Sequence, residues 1–394
     1  GFVTRFATYS AAASSAVPAQ GLWQVPVRVA QGERGQTWLL DRSDARFEWP
    51  DCDDAPLLVN AGGRGFYRVR YDDTLQQRLA RGFGALGAAD RVVLVADSFA
   101  LALAGQQDLA RHFAWLARLP QAQGEGRAPL YALAAAQLRQ LDRTLHGTAA
   151  QARLREAARA LLGAELQRLG WDERSGEDPE ARRLRGVLIE VLAQMGDADV
   201  LAEARTRWRN ARSAPLPGSL RGPVMKAAAR SATAEDSKAL WSALRATDSQ
   251  EERWLILGAL ASDPDPARAR QLLDAALAGW LPPNVATDIA SMVGDEPAHA
   301  AAAYAFVAEH WQRLAALAGS GVFGARAWLL PGAADGMSDR AAAQRLREDQ
   351  SRLAGPNAAA PAETVAAAIE MRAALREREG QRLAATLARW PPTP

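Results

Sequence analysis

Histidine, serine, cysteine and paired carboxylates could carry hydrolytic chemistry in this chain, and their spacing argues against most of it. Zinc hydrolysis from one helix needs two histidines four residues apart, which sets both imidazoles on one face beside a glutamate. The histidines here are His112, His146, His299 and His310, and no two are four apart. Glu309-His310 runs on into "WQRL" with no second histidine, so His310 beside Trp311 reads as a helix-surface or second-layer residue. Ser98 stands inside the apolar run "ADSFALALAG" (96–105), not in a Gly-x-Ser-x-Gly turn, and reads as a helix-interior serine. The single cysteine, Cys52, lies in "PDCDDAP", where three acids disfavour a thiolate. One cysteine also excludes an internal disulfide and a cysteine-cluster metal site. Carboxylates are plentiful, but nothing marks two of them as facing each other across a cleft.

Three segments remain as candidates for binding. "NAGGRGFYRVRYDD" (60–73) has the glycines of a phosphate loop, but such a loop follows a strand and opens a helix. These glycines precede an aromatic, basic run of period two, with Phe66, Arg68 and Arg70 on one face and Tyr67, Val69 and Tyr71 on the other. The segment therefore reads as a turn, a last strand packed on both faces, and a joint into a helix capped by Asp73. "GWDERSGEDPEARRLRG" (170–186) reads as a charged loop in which Asp178 or a neighbouring glutamate caps the next helix. "LPGSLRGPVMKAAAR" (216–230) sets Arg221 and Lys226 at the mouth of a helix that Pro223 is read to begin. Those two cations are either ordinary surface or a basic spot serving an acidic group or a substrate carboxylate.

The elements that position these residues change character along the chain. The 394 residues are 48% apolar and 23% charged, enough for large cores, and the net charge of +2 gives no basic footprint for nucleic acid. No apolar run reaches the roughly 18 residues of a membrane span. Residues 1–72 read as strands: "FVTRFATYS", "LWQVPVRV", "GQTWLL", "RFEWP" and "PLLVN", in a small domain of about five to seven strands. Pro26 suits an edge or a bulge, and the turn "AQGERG" suits a hairpin. From Leu75 the period is helical, with expected helices near 74–83, 90–104, 107–118, 127–145 and 148–169, and later near 297–316, 338–353 and 361–389. The last could break near Gly380. Val187, Leu188, Val191, Leu192 and Met195 form an apolar stripe. Breaks at Gly196, Ser231, Ser262 and Gly294 recur every 31 to 35 residues, the length of a helical pair, and predict an irregular α-solenoid.

Two of these stretches carry a resemblance. "PLLVNAGGRGFYRVRYDD" is similar to the strand that ends the small β-sandwich of M1-family zinc aminopeptidases, through Asn60, Gly65, Phe66, Tyr67, Arg68, Val69, Tyr71 and Asp72. "DRVVLVADSFALALAGQ" resembles the next signature of that family through Arg91, Leu94, Asp97, Phe99, Leu101 and Gly105. The helical segments around 169–204 and 220–230 resemble its puromycin-sensitive and endoplasmic-reticulum-aminopeptidase-like branch. The resemblance covers nearly the whole chain.

It implies a multidomain β + α chain: an incomplete-looking small β-sandwich (1–72), then an all-α superhelical, HEAT/ARM-like bowl (73–394). Family members remove N-terminal residues from peptides, using a zinc domain with His-Glu-x-x-His, a downstream glutamate and a Gly-x-Met-Glu-Asn loop. None of these motifs occurs in residues 1–394. No catalytic or metal residue is therefore carried over. The implied role is a non-catalytic portion that shapes and closes the peptide chamber and is inactive alone. It would bind no cofactor itself, the zinc lying in a catalytic domain outside it. The implied partners are that zinc domain and a peptide substrate, with Arg221 and Lys226 as candidate contacts for the peptide. Neither nucleic acid nor a membrane span is expected. The start at Gly1 reads as a processed or cut terminus, which leaves bacterial cytoplasm and periplasm both open, any targeting signal being upstream. The alternative is a stand-alone helical-repeat scaffold that binds a protein or peptide in its concave groove.

Overall fold

Gly32 takes φ +59° in a two-residue turn with Glu33, a conformation glycine adopts without strain, and this turn makes the first hairpin. The computed structural model describes residues 24–390 apart from 51, 212, 320–323 and 389. "FVTRFATYS" and the start of "LWQVPVRV" lie outside them. Three strands, β1 (Val25–Gln31), β2 (Arg34–Leu40) and β3 (Leu57–Val59), form an antiparallel sheet of order β2-β1-β3. Pro26 lies where β3 does not reach, since β3 pairs only with Val29–Gln31. "RFEWP" is not a strand. Phe47 and Trp49 instead pack on Trp38, with ring centroids 5.1 and 6.0 Å away, and the Trp49 indole N–H donates to Gln31 Oε1.

Helices make up the rest of the chain. They are α1 (Asp73–Arg81), α2 (Ala88–Leu103), α3 (Leu109–Leu116), α4 (Arg127–Thr144), α5 (Ala149–Leu169), α6 (Pro179–Gln194), α7 (Ala198–Asn210), α8 (Gly218–Ala229) and α9 (Ala234–Ala246). Then follow α10 (Gln250–Ala261), α11 (Pro266–Ala275), α12 (Pro283–Gly294), α13 (Pro297–Glu309), α14 (Trp311–Ala318), α15 (Ala325–Ala334), α16 (Arg340–Leu353) and α17 (Ala359–Leu387). The helix expected over 297–316 is two, parted at His310, whereas α17 runs through Gly380 without the expected break. The described residues fall into two compact units, one of residues up to 137 with those from 381 on, the other of residues 138–380.

In the first unit, residues 66–71 form no strand and join no sheet. Only one face is buried: Tyr67, Val69 and Tyr71 point inward, while Phe66, Arg68 and Arg70 are exposed. Period two is shared by a strand and by any extended chain anchored on one side. Here side chains replace the ladder. The Tyr67 hydroxyl accepts the Arg28 N–H at 3.2 Å, and Asp97 of α2 accepts the Val69 N–H at 3.0 Å and Arg68 at 2.8 Å. Asn60, at φ +61°, closes the glycine turn by accepting the Gly65 N–H and donating to the Gly65 carbonyl. The glycine-rich stretch is thus a joint. The cap of α1 is Asp72, one residue earlier than expected, accepting the Leu75 N–H at 2.8 Å. Ser98 is buried in α2, where Gln107 donates to its hydroxyl.

The described residues of the second unit are helices and their connections. α6, α8, α10, α12 and α15 pack each on the next, with α7, α11 and α13 as a second layer. One of its apolar clusters runs from Met225 to Ile369. Of the predicted stripe on α6, Leu188, Val191, Leu192 and Met195 are buried, whereas Val187 is exposed. The recurring breaks open helices as their residue types require: Asp197, Thr233 and Asp265 each accept a backbone N–H from the first turn of α7, α9 and α11. The carbonyl ends are met in turn by side chains from neighbouring helices. Arg159 donates to the Met195 carbonyl, Arg205 to Ser231 and Arg268 to Ala232, while His299 Nε2 hydrogen-bonds the Asp263 carbonyl at 3.0 Å.

Candidate functional site

Helix α8 carries the candidate residues, and the glycines around it decide how its side chains lie. It begins at Gly218, with Pro223 inside the helix and not at its start. The carbonyl of Ser219, which Pro223 has no N–H to bond, faces Gly186 of α6; a Cβ there would meet it at 3.4 Å and the proline ring at 3.0 Å. Gly186 therefore lets α6 and α8 approach. On the other side, a Cβ on Gly258 of α10 would meet Lys226 Cε at 3.3 Å, so the lysine stem crosses α10 where that helix has no side chain.

Lys226 enters a half-open cavity of about 470 Å³, with Arg230 one turn further along the same helix face. Three cations, Arg139, Lys226 and Arg230, and four carboxylates, Glu190, Asp295, Glu296 and Asp335, line it, with Trp254 and Met292 as apolar wall. Every cation has a carboxylate partner. Arg230 meets Glu296 at 2.6 Å and Arg139 meets Asp295 at 3.2 Å, whereas Lys226 reaches Glu190 only at 3.5 Å. Lys226 is thus the cation held most loosely and the one most easily turned to an incoming acceptor. Arg221 is placed differently. It is half exposed, pairs with Glu252 of α10, and is not among the residues lining this cavity. The other lining residues come from α4, α6, α10, α12 and the ends of α12 and α15. No local spacing in the sequence points to them, and "GDEP" reads there only as a helix break.

The loop at 170–178 is held by charge. Arg185, fully buried, forks onto Glu177 at 2.5 and 3.0 Å and donates to the Gly170 carbonyl, holding the Glu177 carboxyl below its ordinary range. Asp178 caps α6 through the Glu180 N–H, as expected. Among the described residues no three His, Cys, Asp or Glu gather as metal ligands. His112 lies between Phe99 and Phe113, His299 binds a carbonyl, and His310 packs on Phe306 at 4.6 Å. No helix among the described residues is long and apolar enough to cross a membrane.

Both motifs that carried the resemblance, 60–72 and 91–105, fall within residues 56–371, which match the ERAP1-like C-terminal domain family. The chain belongs to that family. Aminopeptidase M1 of Arabidopsis thaliana is 29% identical over 303 residues, covering 66% of this chain and 32% of that protein. Aminopeptidase M1-A of Oryza sativa subsp. japonica is 30% identical over 286 residues, with the same shares of 66% and 32%. Aminopeptidase N of Plutella xylostella is 26% identical over 272 residues, 65% of this chain and 28% of that protein. The chain thus spans about a third of the length of these curated relatives. A small β region followed by an all-α array is the fold of this member of the ERAP1-like C-terminal domain family.

Proposed function

We propose that this chain is the non-catalytic portion of a zinc aminopeptidase, shaping and closing the chamber in which a peptide lies while its N-terminal residue is removed. Hydrolysis would be supplied by zinc in a separate catalytic domain, which would also be this portion's main partner. The observation that carries the reading is the polar, half-open cavity on the row α6, α8, α10 and α12, where paired charges and Trp254 offer contacts to an extended peptide. Family membership and the aminopeptidase relatives support it. A HEAT-like bowl after a sandwich ending at residue 72 remains part of the same proposal. Within it, Lys226 contacts the peptide body or its carboxylate from inside the cavity. Arg221 would have to release Glu252 to do the same.

The test uses an enzyme in which this portion is joined to its zinc domain. Lys226→Ala and Arg221→Ala are compared on long peptides and on single-residue amides. A contact worth about 1–2 kcal/mol raises KM for long peptides about five- to thirtyfold and leaves the amides unchanged. Equal effects on both substrates, or none, remove that residue from the site.

A further inference from the structure

Glu190 and Gln194, four residues apart on α6, line the cavity together with Lys226 and Arg230, four apart on α8. Arg230 and Glu296 are both enclosed and close a tight pair at 2.6 Å. Lys226 and Glu190 stand further apart, at 3.5 Å, and among the described residues each is the other's only ion-pair partner. Gln194 is only 8% exposed, yet its carboxamide has no hydrogen-bond partner among the described residues. A carboxamide has both donors and an acceptor to satisfy, and leaving them unmet in a buried place costs free energy. Trp254, Leu255 and Met292 add a partly buried apolar wall. The volume of about 470 Å³ lies within the roughly 300–1,000 Å³ of small-molecule sites.

We propose that this cavity binds a free α-amino acid with an apolar side chain, its carboxylate held by Lys226 and the Gln194 amide N–H, its ammonium by Glu190 and the Gln194 carbonyl. Charge balance selects this class of ligand. A lone carboxylate on Lys226 draws the lysine from Glu190 and leaves that acid facing a like charge. A lone ammonium on Glu190 does the same to Lys226. A ligand that carries both charges on neighbouring atoms exchanges the single 3.5 Å pair for two pairs and strands neither group. Gln194 suits the same ligand, because one carboxamide can donate to the carboxylate and accept from the ammonium. The side chain meets Trp254, Leu255 and Met292, where an apolar group is favoured. Neutral peptide carbonyls leave the Lys226–Glu190 pair standing, so a peptide body and a free amino acid make different demands on it. A free amino acid is the product class of the peptide trimming proposed above; that link rests on the functional reading, whereas the binding site does not.

Ligand-observed NMR titrations on the whole chain test it with L-leucine, with N-acetyl-L-leucine, which lacks the ammonium, and with L-leucinamide, which lacks the carboxylate. Leucine should bind with a Kd of about 1 mM, and each derivative about tenfold or more weakly. Lys226→Met, which keeps the bulk of the lysine stem, and Glu190→Gln should each weaken leucine about tenfold. No leucine binding up to about 10 mM overturns the proposal. So does equal binding of N-acetyl-L-leucine, which would make this a site for any carboxylate, and so does equal binding of L-leucinamide, which would make it a site for any ammonium. Leucine binding untouched by both variants lies elsewhere and overturns it too. If a variant does not fold, Gly258→Ala takes its place, since the new Cβ crowds the Lys226 stem at 3.3 Å while favouring the helix. Leucine binding with no effect of Lys226→Ala on long-peptide KM would remove the peptide contact and keep this site; a KM effect without leucine binding would do the reverse.

Discussion

Gly294 of α12 lies directly against the Ala333 carbonyl of α15: a Cβ on the glycine would overlap that oxygen and sit 2.9 Å from its carbon. Two backbones meet here, so no side chain can move aside. Gly294→Ala should cost about 3 kcal/mol in urea denaturation. Gly163 of α5 is the control, with nothing within 4 Å of its would-be Cβ. Gly163→Ala should gain about 0.5–1 kcal/mol from helix propensity. Equal changes at the two sites would mean that the close approach has no energetic consequence.

The Tyr71 hydroxyl accepts the Val59 N–H at 2.9 Å and donates to the Val59 carbonyl at 3.2 Å, standing in for a neighbouring strand. Both groups are buried. Tyr71→Phe leaves them unsatisfied and should cost about 1–3 kcal/mol, with faster amide exchange at Val59. Stability within about 0.3 kcal/mol of wild type would show that water takes over the hydroxyl's role.

Arg185 and Glu177 make a pH-dependent contribution of known sign. The arginine holds the glutamate below its ordinary 4.5, so the pair contributes fully above that pH and fades as pH falls through the lowered value. Glu177→Gln should flatten the stability profile between about pH 5 and 3 relative to wild type. Arg185→Met should retain the loop less firmly and cost about 3 kcal/mol at neutral pH. A Glu177→Gln profile parallel to wild type would dismiss the pairing as a source of acid sensitivity.

His112 acts in a higher pH range. It is fully buried between Phe99 and Phe113, and burial pushes its imidazole down from 6.5 to about 3. The unfolded chain takes up a proton near pH 6.5 that the folded chain refuses, so stability falls with pH below that point. The limiting slope is about 1.4 kcal/mol per pH unit. His112→Leu should lose that slope, and its stability relative to wild type should rise steadily from pH 7 to 5. Denaturation at these two pH values measures it, and a constant difference between the proteins would contradict the assignment.

What could be read from the sequence followed the range of the interaction involved. The helix breaks at Gly196, Ser231 and Ser262 were legible because the residues that end one helix and cap the next, here Asp197, Thr233 and Asp265, act within one helical turn. Tyr67, Val69 and Tyr71 were legible as one face, but not that side chains and no strand would hold them, since both cases share period two. Pro223 misled because a proline fits the first turn of a helix, and its tolerance further in depends on Gly186, 37 residues earlier. Lys226 was legible as a cation. Its cavity was not, because the opposite wall comes from Arg139 and Asp335, and no local pattern joins residues that far apart.

Trp390 donates its indole N–H to the Phe113 carbonyl at 3.0 Å and sets its ring edge-on to Phe113, across 277 positions of sequence. During synthesis the ribosome would release α3 long before it makes Trp390. At about 5–20 residues per second, Phe113 waits on the order of 14–55 seconds for this partner while all of residues 138–380 emerge between them. The first unit is then the earlier one to start folding and the later one to finish. Until Trp390 is translated, the Phe113 ring and carbonyl lack this partner.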